Sequence, residues 1–462
     1  MIRPQTEVTR TQTLLRARAG AFLLLLAVAC TSLLVAAEAL LVGMTSSLEK
    51  PGEGLWLLAV DRNDPRLEDE LGQAYKEINP TESILHLRRA TRLSPASRLY
   101  WSDLESACES VGDMQCADQA RERLLQLCPM VPAYHWLVAD SCLRSNRPAM
   151  ALEHFRRLLE LDPAYALPVW SALQSVLQPE PVFQEVLADN PDAKLKVGYV
   201  DFLSAEGDND AALRIWRQVV ARSPSFPFSS AAPYLDRLID TGRIEEAVNV
   251  WQDLMRLGIV AQPGVSPALA ASPPARAGSG KTFQGGAARD ETPELSKEGS
   301  NLIFNGDFER SPLNAGFDWR TGSTTYLVVD FSASGAYRGA HCLRVDFTVS
   351  RNDEYEPVYQ IVPVLPRHAY RLEAFVRSQD ITSDTGPSLR VRDTQPAGSL
   401  DAVSETLVGT TPWHLVRVSF RTGPQTRAVR ISFWRPRSRV FPTEISGTSW
   451  LDAVSLRSEP DQ

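Results

Sequence analysis

The chain has 462 residues, of which 44% are hydrophobic and 23% charged, and its formal net charge is −8. That length accommodates about two or three domains, and the acidic balance excludes the basic footprint of a nucleic-acid-binding protein. Six cysteines without a CxxC pair, and scattered histidines, exclude a zinc-type ligand set.

Residues 1–19 are a polar tail in which Arg3, Arg10, Arg16 and Arg18 outweigh Glu7. Residues 20–44 contain AFLLLLAVACTSLLVAAEALLVGM, apolar apart from Glu38 and small hydroxyl residues. As a helix this segment spans a hydrocarbon core of about 30 Å. It predicts a transmembrane helix or uncleaved signal anchor, with the tail cytoplasmic by the positive-inside rule. Two rivals stay open: a signal-peptidase site at AEA (37–39) and a lipoprotein-like box ending at Cys30. All three export the rest of the chain. The expected place is therefore the inner or cytoplasmic membrane, single-pass, with the bulk periplasmic or extracellular.

Over 55–258 the sequence repeats. Pro95, Pro129 and Pro163 stand 34 residues apart and close LRRATRLSP, RERLLQLCP and FRRLLELDP; Pro224 closes IWRQVVARSP. Twelve residues before each proline is a small residue: Ser83, Ala117, Ala151 and Ala212. Gly112, Asn146 and Gly207 precede three of these by five residues, as Gly242 precedes Ala247. The pattern resembles the tetratricopeptide repeat, with ALEHFRRLLELDP (151–163) the best match and Trp101 and Leu104 as its first-helix aromatic and leucine. The resemblance implies about six stacked hairpins, an α-solenoid whose concave face holds an unidentified protein partner. The stretch 166–191 fits poorly, so a kink is expected there. Trp136, Trp170, Trp216 and Trp251 line that face or, by their helical spacing, pack between helices. Cys108, Cys116, Cys128 and Cys142 allow three pairings or remain free thiols.

Residues 259–299, rich in Pro, Ala, Gly and Ser, predict a disordered linker. Its ARAGSGKT (275–282) resembles a phosphate-binding loop, but neither a strand precedes it nor a helix follows, so nucleotide binding is rejected.

From residue 300 to 458 the period changes to two. TYLVVDF, HCLRVDFTV, PVYQIVPV, AYRLEAFVR, SLRVRD, WHLVRVSFRT, RAVRISFW and SWLDAVSLR alternate or run apolar between turn residues, which predicts an all-β sandwich. NLIFNGDFE (301–309), GAYRGAHCLRV (335–345), YQIVPVLPRHAYRLEAFVR (359–377), TPWHLVRVSFRT (411–422) and GTSWLDAVSL (447–456) resemble, in order, carbohydrate-binding and galactose-binding-like jelly rolls. That resemblance implies a first strand beside the last, tied by a structural Ca2+ with Asp307, Glu309 and Asp452 as oxygen ligands. Ala453 stands where the family often has a second acid. Read without the resemblance, Asp307 and Glu309 make turn hydrogen bonds and face water.

Alternation places Tyr370, Leu372, Ala374 and Val376 inward, and likewise Leu389 and Val391, Val416, Val418 and Phe420, and Val429, Ile431 and Phe433. If these strands share a sheet, its opposite face carries Arg371, Phe375, Arg377, Arg390, Arg392, Arg417, Arg430 and Trp434. Residues 301–462 contain 18 Arg and no Lys, and guanidinium forks with aromatic faces suit an acidic polysaccharide. The other reading is a solvated face covered by arginine stems. No histidine or carboxylate set joins a nucleophile, so no enzyme is expected. The expected function is a membrane-anchored extracytoplasmic scaffold that binds a protein through its repeats and a polysaccharide through its jelly roll. The alternative is a purely structural, protein-binding scaffold.

Overall fold

The structure is a computed structural model. It describes residues 28–33, 35–36, 63–222, 225–261, 300–322, 326–395, 400–441 and 443–460. The anchor predicted over 20–44 lies largely outside these residues; 28–33 and 35–36 are helical and exposed. Among the described residues no helix is long and apolar enough to cross a membrane. The linker expected over 259–299 and the repeat residue Pro224 also lie outside them, apart from residues 259–261.

The chain divides into two compact units, Met1–Leu177 and Gln178–Gln462. The division falls inside the repeat region, within the poorly matched stretch, rather than at the linker. The first unit contains helices α1 (Pro65–Tyr75), α2 (Pro80–Leu93), α3 (Arg98–Ser110), α4 (Met114–Leu127), α5 (Pro132–Arg144), α6 (Pro148–Leu161) and α7 (Ala166–Gln174). The second opens with α8 (Pro179–Val182), which runs into a π-helical turn at Phe183–Leu187. It continues with α9 (Ala193–Ala205), α10 (Asn209–Ala221), α11 (Phe228–Asp240) and α12 (Ile244–Arg256).

The repeat signals have direct physical roles. Gly112, Asn146, Gly207 and Gly242 sit between paired helices with φ of 77°, 54°, 90° and 77°, the left-handed conformation that ends a helix. The following N–H reaches back into the helix just ended, as from Asp113 to the Cys108 carbonyl at 2.9 Å. Asp113 and Asp208 then cap the next helix, accepting from Cys116 N–H and Ala211 N–H. Ser83, Ala117, Ala151, Ala212 and Ala247 are wholly buried, where a larger side chain would push the paired helices apart. Trp216, Trp170 and Trp251 are buried, and Trp136 packs edge-on against Phe155, so these rings are packing residues. A Cys108–Cys116 disulfide ties α3 to α4, leaving Cys128 and Cys142 free.

In the first unit, Asp69 of α1 is buried beside Asp103 of α3. Burial, then the negative charges of Asp103 and Glu70, push its pKa up to about 7. Asp103 in turn bonds Gln73 and feels Lys76. Asp69 holds its proton more tightly folded than unfolded. Its stabilising contribution is therefore complete below the unfolded value of 3.8 and is lost as pH rises through about 7. Asp69→Asn is expected to melt higher than wild type by a margin that widens from pH 4 to pH 8. A margin independent of pH would contradict this.

The β region of the second unit is a sandwich of two antiparallel five-stranded sheets. One has the order β1 (Arg320–Thr321), β4 (Tyr355–Pro363), β9 (Ala428–Arg435), β6 (Ser388–Asp393), β7 (Asp401–Val403). The other runs β2 (Leu327–Ala333), β3 (Cys342–Arg351), β10 (Ile445–Glu459), β5 (Ala369–Ile381), β8 (Gly409–Arg421). Every predicted strand from TYLVVDF onward is present, and every residue predicted to point inward is buried. NLIF is not a regular strand, yet it lies beside β10: Leu302 N–H donates to the Leu456 carbonyl and Val454 N–H to the Gly306 carbonyl.

Within the second unit the sandwich packs directly on the last helical hairpin. Trp251 of α12 meets Phe304 and Phe317 edge-on, with centroids at 5.2 and 5.8 Å. Asp236 of α11 accepts from Gly316 N–H at 2.8 Å and from Arg320 at 2.6 Å. The solenoid end and the sandwich are thus in contact, where the sequence suggests two bodies on a tether.

An arginine-lined pocket as candidate functional site

The strands that were expected to share one arginine face belong to different sheets. β5 and β8 lie in one sheet, β6 and β9 in the other. The structure therefore keeps Arg371, Phe375, Arg377 and Arg417 together, and separately Arg390, Arg392, Arg430 and Trp434.

The second group is internally satisfied. Arg390 grips Asp401 through two bonds of 2.7 and 2.6 Å, holding that carboxyl below its ordinary range. Its guanidinium lies 4.3 Å over the Trp434 ring, whose N–H donates to Glu354. Arg392 and Arg430 both bond Glu356, and Arg430 also covers Tyr359. With its face capped and its N–H occupied, Trp434 offers no bare ring to a sugar.

Around β5 the picture is mixed. Phe375 stacks under Tyr337 at 3.5 Å, because the segment between β2 and β3 folds back over the sheet. Arg377 lies over Trp450 at 4.5 Å, Arg417 bonds Glu373 at 2.8 Å, and Arg371 pairs with Glu459. Beside Phe375, however, the sheet opens into a pocket of about 400 Å³. Arg310, Arg338 and Arg457 line it with Asp307, Glu373 and Asn305.

Local sequence builds this pocket. Asn305 takes a left-handed φ of 52° and closes a turn by bonding the backbone of Arg310 at both its amide atoms. Gly306 follows because a Cβ there would stand 2.2 Å from the Val454 carbonyl oxygen. Trp319 donates its indole N–H to the Asn305 carbonyl, locking the turn to the core. Beneath it Asp318 accepts N–H bonds from Leu313 and Trp319, and burial raises its pKa to about 6. Arg457 is missed in the sequence analysis, although the alternation past Leu456, which is buried, would have turned it out. Arg338 was not legible, because it lies between strands in a segment whose fold-back has no periodic signal.

The three carboxylates that the jelly-roll resemblance assigns to calcium do not fit an ion. Asp452 is wholly buried and accepts from the backbone N–H of Arg338 and Ala453. Glu309 accepts from Ala340 and His341 N–H at 2.6 and 3.0 Å. Asp307 is exposed at the pocket. Among the described residues the one cluster with metal-ligand spacing is Cys108, Asp113 and Cys116, two of which form the disulfide. Asp452 thus holds the 338–341 segment against β10, and Glu309 holds it against the 301–310 turn.

No protein-family model matches the chain, and no curated protein matches it. Among solved structures, a crystal structure of MamA is 15% identical, with 37% of this chain and 85% of that one aligned at a TM-score of 0.26. YrrB, described as a TPR protein with an unusual peptide-binding site, is 13% identical over 47% of this chain and 95% of its own, at 0.23. The enzymatically active domain of bacteriophage CBA120 tailspike protein 4 is 14% identical over 34% of this chain and 21% of its own, at 0.25. Likenesses this distant carry no argument, and the helical hairpins and the two-sheet sandwich stand on the elements described above.

Proposed function

We propose that this chain is a membrane-anchored extracytoplasmic scaffold. Its helical hairpins hold a protein partner, and the arginine-lined pocket of its sandwich receives an acidic polysaccharide. The observation that supports the glycan half is a charge imbalance at the pocket. Among the described residues Arg338 and Arg457 have no carboxylate partner, while Glu373 is already bonded to Arg417. Two guanidiniums without ion-pair partners, against the single exposed carboxylate of Asp307 and beside a half-covered aromatic stack, favour a carboxylate-bearing sugar.

Electrophoresis of the protein through gels containing alginate or dextran tests this. Retardation is expected in alginate alone, and Arg338→Glu or Arg457→Glu should weaken it about tenfold, the loss of one charge-assisted hydrogen bond. The capping of Phe375 by Tyr337 and of Trp434 by Arg390 favours a second reading, in which the sandwich is a structural module. Equal mobility in both gels would select that reading.

A further inference from the structure

Between α2 and α4, the second helices of two consecutive hairpins in the first unit, lies a groove of about 930 Å³. Its floor is Trp101 and Leu104; its walls carry Leu85, Arg88 and Arg92 on one side and Gln119 on the other. Leu85 is 57% exposed, an apolar side chain that the hairpin core does not use. Leu85, Arg88 and Arg92 follow one another at helical spacing along a single face of α2. The Trp101 ring is fixed, since its indole N–H donates to the Pro95 carbonyl at 3.0 Å.

The rim is electropositive in a chain of net charge −8. Arg88 meets Asp113 at 3.4 Å with both side chains about half exposed, a pair that water screens heavily. Arg92 donates to the Arg88 carbonyl and has no carboxylate partner among the described residues. The opposite wall offers the amides of Gln115 and Gln119, and its one carboxylate, Asp113 at the start of α4, is the one paired with Arg88, so the arginines exceed the acids by one. The Cys108–Cys116 disulfide joins the floor helix to that wall, so the groove is pre-organised and a ligand need not order it.

We infer that this groove binds an amphipathic helical peptide whose polar edge carries carboxylates. A helix of about two turns fills such a volume, setting apolar side chains on Trp101 and Leu85 and acids against Arg88 and Arg92. Two guanidiniums beside an apolar floor suit that ligand and not a polyanion, which needs a long basic track. The inference rests on the reading that the hairpins hold a protein partner, and names the class of partner and the place.

Three fluorescein-labelled peptides test it with the full chain by fluorescence polarisation. They share one leucine face and carry Glu, Lys or Gln along its edge. The Glu peptide is expected to bind about tenfold or more tighter than the Lys peptide, with the difference shrinking in high salt. Arg92→Glu should reverse that order, and Leu85→Glu should abolish binding of all three. Both positions are exposed, and unchanged melting of the variants checks the fold. Equal binding of the three peptides, no binding, or an order unmoved by Arg92→Glu overturns the groove assignment. Binding that ignores both variants removes the groove but leaves the scaffold reading. That reading fails only if photo-crosslinkers along the hairpins also capture no protein in intact cells.

Discussion

Replacing Trp251 by alanine is expected to destabilise the second unit by about 3–5 kcal/mol, the range for deleting a large buried aromatic. The ring is buried between Phe228 of its own hairpin and Phe304 and Phe317 of the sandwich. Its loss leaves three aromatic edges without a partner, two of them across the contact. Backbone amides of 300–322 should then exchange faster, since those residues form the far side. Arg320 and Asp236 separate docking from general damage. Asp236 bonds both the Gly316 amide and the Arg320 guanidinium, so a double-mutant cycle with alanine at each is expected to show coupling of about 1–3 kcal/mol. Gly316→Ala reaches the same contact from the backbone. Its φ is 61°, and a Cβ would stand 2.6 Å from both Leu235 and Trp251. Calorimetry of these variants checks the prediction, and a Trp251→Ala protein that melts like wild type refutes it.

The second large effect is expected at Arg435, which is 1% exposed. Its five N–H donors all find acceptors: Nε the Thr385 carbonyl, Nη1 Asn352 and the Asp353 carbonyl, Nη2 Ser383 and the Thr443 carbonyl. Burial lowers its pKa, and no carboxylate bonds it directly. One guanidinium therefore fastens the β3–β4, β5–β6 and β9–β10 connections at one end of the sandwich. Arg435→Met keeps much of the volume but strands those acceptors, and is expected to destabilise by about 3–5 kcal/mol. Arg435→Lys, with three donors, should fall between. Urea unfolding measures both, and a methionine variant within 1 kcal/mol of wild type, less than about one net hydrogen bond, would show the network to be dispensable.

Much of this architecture was legible because it is periodic. The 34-residue spacing marked the hairpins through residues with one mechanical duty each, a left-handed turn at Gly112 or a close crossing at Ala117. Alternation assigned the buried face of β5, β6, β8 and β9 residue by residue. What it could not assign was sheet membership. SLRVRD and RAVRISFW alternate like AYRLEAFVR, but the ladders that join them to each other and to β4 link strands distant in sequence, so one arginine face was expected where there are two. Pairing also stayed hidden: nothing in the sequence says that Arg390 finds Asp401, or that Tyr337 covers Phe375. The pocket was partly visible, through Asp307 and Phe375, and Arg457 was within reach of the same alternation. Arg338 and the docking of Trp251 depend on irregular backbone and on contacts across the 262–299 segment.

That docking has an implication for how such a molecule can change. Arrays of helical hairpins usually lengthen by duplication, each copy offering the next the same apolar surface. Here Trp251, Leu235 and Asp236 are committed to Gly316, Phe317 and Arg320. A duplicated hairpin spliced in after Arg256 would have to reproduce that aromatic and acid in register or leave the sandwich unseated. The β body acts as a stopper on the array, and new hairpins are more easily accommodated upstream of α11.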